Sequence, residues 1–311
     1  MWDRHDPRST ADRERGDSGD RSRGSRGGPS ERDRNDESDT RDVFTKDLDL
    51  PRGHKRELVR ERDRVYEING AESRMLATVG AFRVLSKSDL HEPRDQSQDI
   101  RRSLRHLENE GLIRISPLSS NDRAVTLTNR GRDLLEANRY GRQGRAHEPH
   151  QTFYEGIRKP RELTHDTNVY RAYQRAEERL REQGAQVERV VLDYELKRDY
   201  QRFLQEHNRG RKESDGRPDR EPKEIALWAR QHDLPYYDEQ AHFPDARIEY
   251  QDRDGRSRHE DIEVTTGHYR GAHAAASARS GFTRYRSLGC TVGGRSGRRT
   301  PDARLAEELL G

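Results

Sequence analysis

The chain has 311 residues, of which 38% are charged and 28% hydrophobic, whereas an average globular protein is roughly 25% charged. This composition argues against one core through the whole length, because so few apolar residues must gather in islands to bury enough surface. The net charge of +3 balances 61 basic against 58 acidic residues, so total charge alone does not indicate a nucleic-acid partner.

The cysteine count and the lengths of the apolar runs indicate the cellular compartment in which the protein is expected. Cys290 is the only cysteine, which excludes an internal disulfide and a cysteine-based zinc site. No apolar run reaches the ~18 residues that a membrane span needs, and the N-terminus lacks the apolar core of a signal peptide. These features predict a soluble cytoplasmic protein without a membrane partner.

The N-terminal segment 1–54 is predicted to be a disordered charged arm. Most of it alternates arginine with acidic residues, serine and glycine, and so few apolar side chains cannot offset the entropy lost on ordering. A short apolar island with Phe44 and Leu48 near its end is the part that could dock onto a folded domain. The stretch 56–66 is predicted as an exposed helix or a linker.

Apolar residues then recur at helical spacing in two segments. Steps of four and three residues place them on one face of a first and of a third helix, and Gly111 is a natural end for the third. A short second helix is predicted at 86–90. The apolar residues are Met75, Val79 and Phe82 in the first helix and Ile100, Leu104 and Leu107 in the third.

A hairpin and a closing helix follow. Residues 112–115 and 124–127 alternate as strands around a turn at 119–122, and Thr128 is a suitable N-cap for the closing helix. Three helices, a hairpin and a last helix are in the order of a winged helix. The spacing of leucines and glycines here resembles the MarR-like winged helices, so segment 55–139 is predicted to be a winged-helix DNA-binding domain.

Four arginines are the predicted DNA contacts. Arg101, Arg102 and Arg105 lie off the apolar stripe of the third helix, and Arg123 lies at the hairpin tip. A helix with such a face can enter the major groove, where arginine reads guanine edges or grips phosphates. The alternative is a solvated helix face in an arginine-rich chain. We expect double-stranded DNA as the partner and leave a homodimer open.

The second half is predicted to be an α/β domain at 162–288, after a polar linker at 140–161 and before a flexible tail at 289–311. An amphipathic helix opens it, with apolar residues from Val169 to Leu180. The remaining predicted elements are a strand at 187–196, helices at 197–205 and 222–233, strands at 246–250 and 259–266, a helix at 271–280 and a short strand at 282–285.

This order resembles the core of the PD-(D/E)XK nuclease superfamily, that is, a restriction-endonuclease-like fold. The resemblance implies that Asp245 and Glu263 hold Mg²⁺ as catalytic carboxylates, with Thr265 where the family has lysine. Threonine is not a general base at neutral pH, so catalysis would need another group, such as Lys197 or His268. The fold class predicted is therefore an α+β winged helix followed by an α/β nuclease-like domain.

The domain order, with Leu163-Thr164-His165-Asp166 opening a helix and Pro-Asp before a glycine turn, resembles the replication-relaxation family of plasmids and mobile elements. The resemblance implies a DNA-binding protein that serves replication or DNA relaxation, with a nuclease-like domain that is either active or degenerate. The alternative is a winged-helix transcriptional regulator without catalytic activity.

Overall fold

The computed structural model describes residues 40–90, 97–140, 150–157, 162–206, 208, 220–265 and 279–287. Over these residues the chain is an α+β fold with six α-helices and mixed sheets. The helices are α1 (Gly70–Phe82), α2 (Ser97–Asn109), α3 (Asn129–Ala137), α4 (Leu163–Glu182), α5 (Asp193–Gln205) and α6 (Pro222–Gln231). The strands are β1 (Glu57–Glu61), β2 (Arg64–Ile68), β3 (Val84–Ser86), β4 (Ile113–Pro117), β5 (Arg123–Leu127), β6 (Gln186–Leu192), β7 (Tyr236–Tyr237), β8 (Gln240–Ala241), β9 (Ala246–Gln251), β10 (Ser257–Thr265) and β11 (Thr283–Arg286).

Helices α1, α2 and α3 surround an antiparallel sheet of order β3-β5-β4. The predicted apolar stripes of the first and third helices are buried as α1 and α2, and the predicted hairpin is β4 and β5. A 3-10 helix at Lys87–Leu90 occupies the predicted second helix. Helix α3 packs closely on the hairpin, since a Cβ at Gly131 would lie 2.1 Å from the Leu112 carbonyl oxygen.

A second sheet has the order β11-β10-β9-β6. Strands β6, β9 and β10 are antiparallel, whereas β11 is parallel to β10. Helix α4 packs on this sheet through the core that includes Ile262 and Val264. Helices α5 and α6 share a smaller cluster around Trp228.

One hydrophobic core joins the two halves. The Phe82 ring at the end of α1 lies 4.9 Å, centroid to centroid, from both Tyr170 and Tyr173 of α4, and 5.5 Å from Phe44. The composition argued against one core through the whole length, yet one core contains buried residues from Phe44 to Val264 of the described chain. Helix α4 packs against strands of both sheets. One set of apolar side chains on α4 therefore contributes to the core on both sides, which reduces the number of apolar residues that the core needs.

Two segments predicted to lie outside the domains are packed. In the predicted arm, Thr40–Phe44 forms a 3-10 helix, and Phe44 and Leu48 are buried, as the docking alternative expected. In the predicted linker, the Gln151 side-chain amide is hydrogen-bonded to both backbone groups of Val190, at 2.9 Å each. Gln151 thus takes the place of a neighbouring strand at the edge of β6.

Two local predictions are corrected. The predicted helix or linker at 56–66 is a hairpin of β1 and β2, in which Val59 and Tyr66 are buried while their neighbours are exposed. The predicted strand at 187–196 ends at Leu192, and α5 begins at once. Predictions for 1–39, 141–149, 266–278 and 288–311 lie outside the described residues. None of the described helices combines the length and apolarity needed to cross a membrane.

Candidate functional site

Helix α2 presents a cationic face. Arg101, Arg102 and Arg105 are exposed, while the apolar stripe of the same helix is buried. Arg102 lies 3.5 Å from Asp99 at a position open to water, where such a pair is worth little. Arg123, at the start of β5, is exposed as well. All four predicted contacts are therefore accessible from solvent.

A buried carboxylate holds α2 against α1. Glu72 is fully buried, accepts from Arg56 Nη2 at 2.7 Å and lies 3.1 Å from Nδ1 of His106 on α2. It also completes a capping box with Asn69 at the start of α1. The cationic face is thus carried by a helix with a fixed orientation.

A second candidate is a cavity of about 410 Å³ beside the sheet edge. Its polar wall contains four carboxyl groups and three basic side chains, and its apolar wall comes from α1, α4 and β6. The lining residues are Phe82, Arg83, Glu162, His165, Asp166, Val169, Leu192, Asp193, Tyr194, Lys197 and Asp245.

Asp245 lies in this cavity with both carboxylate oxygens engaged. Oδ1 is 3.1 Å from His165 Nε2, and Oδ2 accepts from the Val264 backbone N–H at 2.7 Å. Glu263 does not line the cavity. Burial raises the pKa of Tyr237 on β7, and the Glu263 charge adds to this effect. Thr265 donates to the Tyr285 carbonyl at 3.4 Å. Asp245 immediately precedes β9 and Glu263 lies on the adjacent strand β10, but Glu263 does not line the cavity that contains Asp245.

This arrangement does not fit a magnesium ion between Asp245 and Glu263. A hard cation needs several oxygen ligands that converge on one point, whereas Glu263 does not line the cavity that contains Asp245. Over the described ranges, no three His, Cys, Asp or Glu side chains are grouped to hold a metal ion. Of the alternative bases, Lys197 lines the cavity and pairs with Asp193 at 2.6 Å, and His268 lies outside the described residues.

Arg83 is the most unusual group in the cavity. It is only 2% exposed, its φ is +67°, and its guanidinium carbon lies 3.6 Å from the centroid of the Tyr194 ring. A positive φ in a residue with a Cβ costs energy, and a buried donor without a partner costs about 1–3 kcal/mol. Yet Nε and Nη1 of Arg83 have no hydrogen-bond partner in the described part of the chain.

Two neighbouring groups on α4 have displaced pKa values. Burial raises the pKa of Asp166 from 3.8 to about 6, against the positive charges of His165 and Arg83. The hydrogen bond to Asp245 raises the pKa of His165 above its ordinary 6.5. The folded state thus favours protonated Asp166, and stability falls as the pH rises between 3.8 and about 6. The contribution of charged His165 is present below pH 6.5 and is lost at the raised pKa.

Sequence reasoning found Asp245 and missed most of its surroundings. Arg83 carried one signal, since it is a lone charge within an apolar run from Met75 to Leu85. Asp166 was noted only as part of the motif that opens a helix at 163–166, and Asp193 carried no signal, because acidic residues are common throughout the chain. Comparison of the chain with family models, curated proteins and solved structures finds no match.

Proposed function

We propose that the protein binds double-stranded DNA through the cationic face of α2. The observation that carries the proposal is the exposure of Arg101, Arg102 and Arg105 on a helix whose other face is buried in a compact unit. The three-stranded sheet β3-β5-β4 with its hairpin beside α2 supports a winged-helix arrangement. Such a helix enters the major groove, and arginine contacts phosphates and guanine edges there.

The test is DNA affinity as a function of salt. Replacing both Arg101 and Arg105 with alanine should weaken binding to duplex DNA about tenfold or more, because charged contacts to phosphates or bases are lost. The slope of log affinity against log salt should fall by about 1 per lost phosphate contact. Fluorescence anisotropy with a labelled duplex measures both quantities.

The matched control is Arg253→Ala, in the exposed turn between β9 and β10. It removes the same charge from another surface, so affinity should change little. If the control weakens binding as much per charge as the α2 variants do, DNA contact is not located on α2. No affinity of the wild-type protein for duplex DNA would contradict the proposal outright.

A second function, metal-dependent DNA cleavage, is favoured by the order of the second sheet. Helix α4 and the strands β6, β9, β10 and β11 agree with the helix and strands of the order on which the resemblance to PD-(D/E)XK nucleases rests, while the predicted helix before the last strand lies largely outside the described residues. This function would place the chain with nuclease-type replication-relaxation proteins of mobile elements. Without it, the chain is a non-catalytic regulator or replication factor. The observed positions of Asp245 and Glu263 favour the non-catalytic form.

Supercoiled plasmid tests the choice between these forms. If the carboxylates hold a metal, Mg²⁺ or Mn²⁺ should convert plasmid to nicked or relaxed forms, and Asp245→Ala and Glu263→Ala should each abolish this conversion. Gel analysis of the topoisomers measures the rate. Equal conversion by all three proteins would assign the activity to a contaminant or another site, and no conversion would leave DNA binding alone.

A further inference from the structure

Two opposite charges face the cavity without a hydrogen bond to each other. The Asp166 carboxylate has no hydrogen bond to any described residue, and Arg83 keeps Nε and Nη1 unpartnered in the same part of the chain. Both residues line the same cavity. Other charges of the cavity are already paired: Asp193 with Lys197, and Asp245 with His165.

Simple ions do not match this pair. A metal ion would find one free carboxylate, no group of three donors among the described residues, and the Arg83 charge beside it. A bare anion would meet Arg83 but also the Asp166 charge and three further carboxyl groups. The groups without a hydrogen bond are therefore the Asp166 carboxylate, which accepts, and the Arg83 guanidinium, which donates. A ligand that satisfies both must present N–H groups and an acceptor side by side.

We propose that the cavity binds a guanine base through Asp166 and Arg83. Guanine carries N1–H and the 2-amino group next to O6, with N7 on the adjoining edge. A carboxylate accepts from both N–H groups at once, and arginine donates to O6 and N7, which is its commonest base contact. The two residues of opposite charge thus match neighbouring edges of one base.

The rest of the cavity suits a planar ring. Its volume of about 410 Å³ accommodates a purine, and Phe82, Val169 and Leu192 supply apolar walls. Arg83 lies against the Tyr194 ring with its guanidinium carbon 3.6 Å from the ring centroid, which holds the guanidinium in place before a ligand arrives. A donor held in advance loses little entropy on binding.

The base can come from a guanine mononucleotide or from an unpaired guanine in DNA. The second source rests on the proposed DNA-binding function, whereas the first does not. Both sources present the same edges to Asp166 and Arg83. A mononucleotide carries a single phosphate group, whereas a guanine in DNA is attached to the sugar-phosphate backbone. Separate probes therefore distinguish the two sources.

Isothermal titration of the full chain tests the first source with GMP, IMP, AMP and XMP. GMP should bind tightest. IMP lacks the 2-amino group and should bind about tenfold more weakly. AMP presents an acceptor at N1 to Asp166 and should bind at least about a hundredfold more weakly, because a buried polar group is left unpaired.

The decisive variant is Asp166→Asn. Its amide donates to the O2 of xanthine, so the preference should reverse from GMP to XMP. The variant removes a charge that burial disfavours, so its melting temperature at pH 7 should rise, and lost GMP binding cannot then be ascribed to unfolding. Arg83→Gln should weaken both GMP and IMP. Glu182→Gln, at an exposed position of the same helix α4, should leave all affinities unchanged.

The second source is tested with single-stranded oligothymidine carrying one central dG or one central dA. Preference for dG that Asp166→Asn abolishes would assign the site to DNA. GMP binding without this preference would assign it to a mononucleotide. Equal binding of GMP and AMP, no GMP binding up to about 1 mM, or an unchanged preference in Asp166→Asn would overturn the proposal. None of these readouts depends on Arg101 or Arg105, so duplex binding by α2 can fail separately.

Discussion

Replacing Phe82 with alanine should lower the free energy of unfolding by about 3–5 kcal/mol, the usual range for removing a fully buried aromatic ring. Phe82 is 2% exposed and contacts the rings of Phe44, Tyr170 and Tyr173. Phe44 belongs to the 3-10 helix Thr40–Phe44, and Tyr170 and Tyr173 belong to α4. Truncation of Phe82 therefore removes packing both from the N-terminal half, which contains α1, and from the C-terminal half, which contains α4. We therefore expect both halves to lose the same stability.

Guanidinium denaturation followed by two probes measures this effect. In a Trp2→Phe background, Trp228 is the remaining tryptophan, and its fluorescence reports the α5–α6 cluster. Circular dichroism reports all helices. The two midpoints should shift together in Phe82→Ala. Leu227→Ala, at a side chain that is 57% exposed on α6, should change stability by less than about 0.5 kcal/mol. A Trp228 transition that stays in place would show that the halves unfold independently.

Arg247→Met should also cost about 3–5 kcal/mol, because it leaves a buried charge without its partner. Arg247 binds both oxygens of Asp261 at 2.7 and 2.9 Å and donates to the carbonyls of His232 and Asp233 at 2.8 and 3.0 Å. The two side chains are 9% and 10% exposed. The pair therefore fixes β9 to β10 and to the end of α6.

A double-mutant cycle separates the pair from its surroundings. Asp261→Leu alone should be costly, whereas Arg247→Met with Asp261→Leu should cost clearly less than the sum, because no charge is left unpaired. Arg258→Met is the control on β10, where the side chain is 56% exposed and the contact to Asp252 spans 3.5 Å. Strictly additive costs in the cycle would mean that the ion pair does not couple the strands.

The elements of the first half that the sequence predicts are those with strong local signals. The steps from Met75 to Phe82 and from Ile100 to Leu107 define α1 and α2, since burial of one helix face is periodic in the chain. The hairpin of β1 and β2 escapes this reasoning. Its exposed positions carry so many charges, as at Arg60 and Glu67, that the alternation with buried residues is hard to see.

The cavity could not be predicted because its members come from distant parts of the chain. Asp245 was found through a motif, but its nearest partner His165 comes from α4 and Asp193 from α5. Gln151 shows the same limit, since only the folded chain puts its amide against β6. From local composition alone, such residues are assigned to a linker or to the surface. Tertiary contacts decide their roles.

Helix α1 has a mechanical consequence for the molecule. The helix has 13 residues and is about 20 Å long. In its first turn Glu72 contacts His106 of α2, and at its other end Phe82 lines the cavity. A displacement of Phe82 is therefore transmitted along one continuous helix to α2, which carries the exposed arginines. If the proposed ligand tilts α1 when it binds, the proposed affinity for duplex DNA would change by some factor, and the binding of DNA would then change the affinity for the ligand by the same factor.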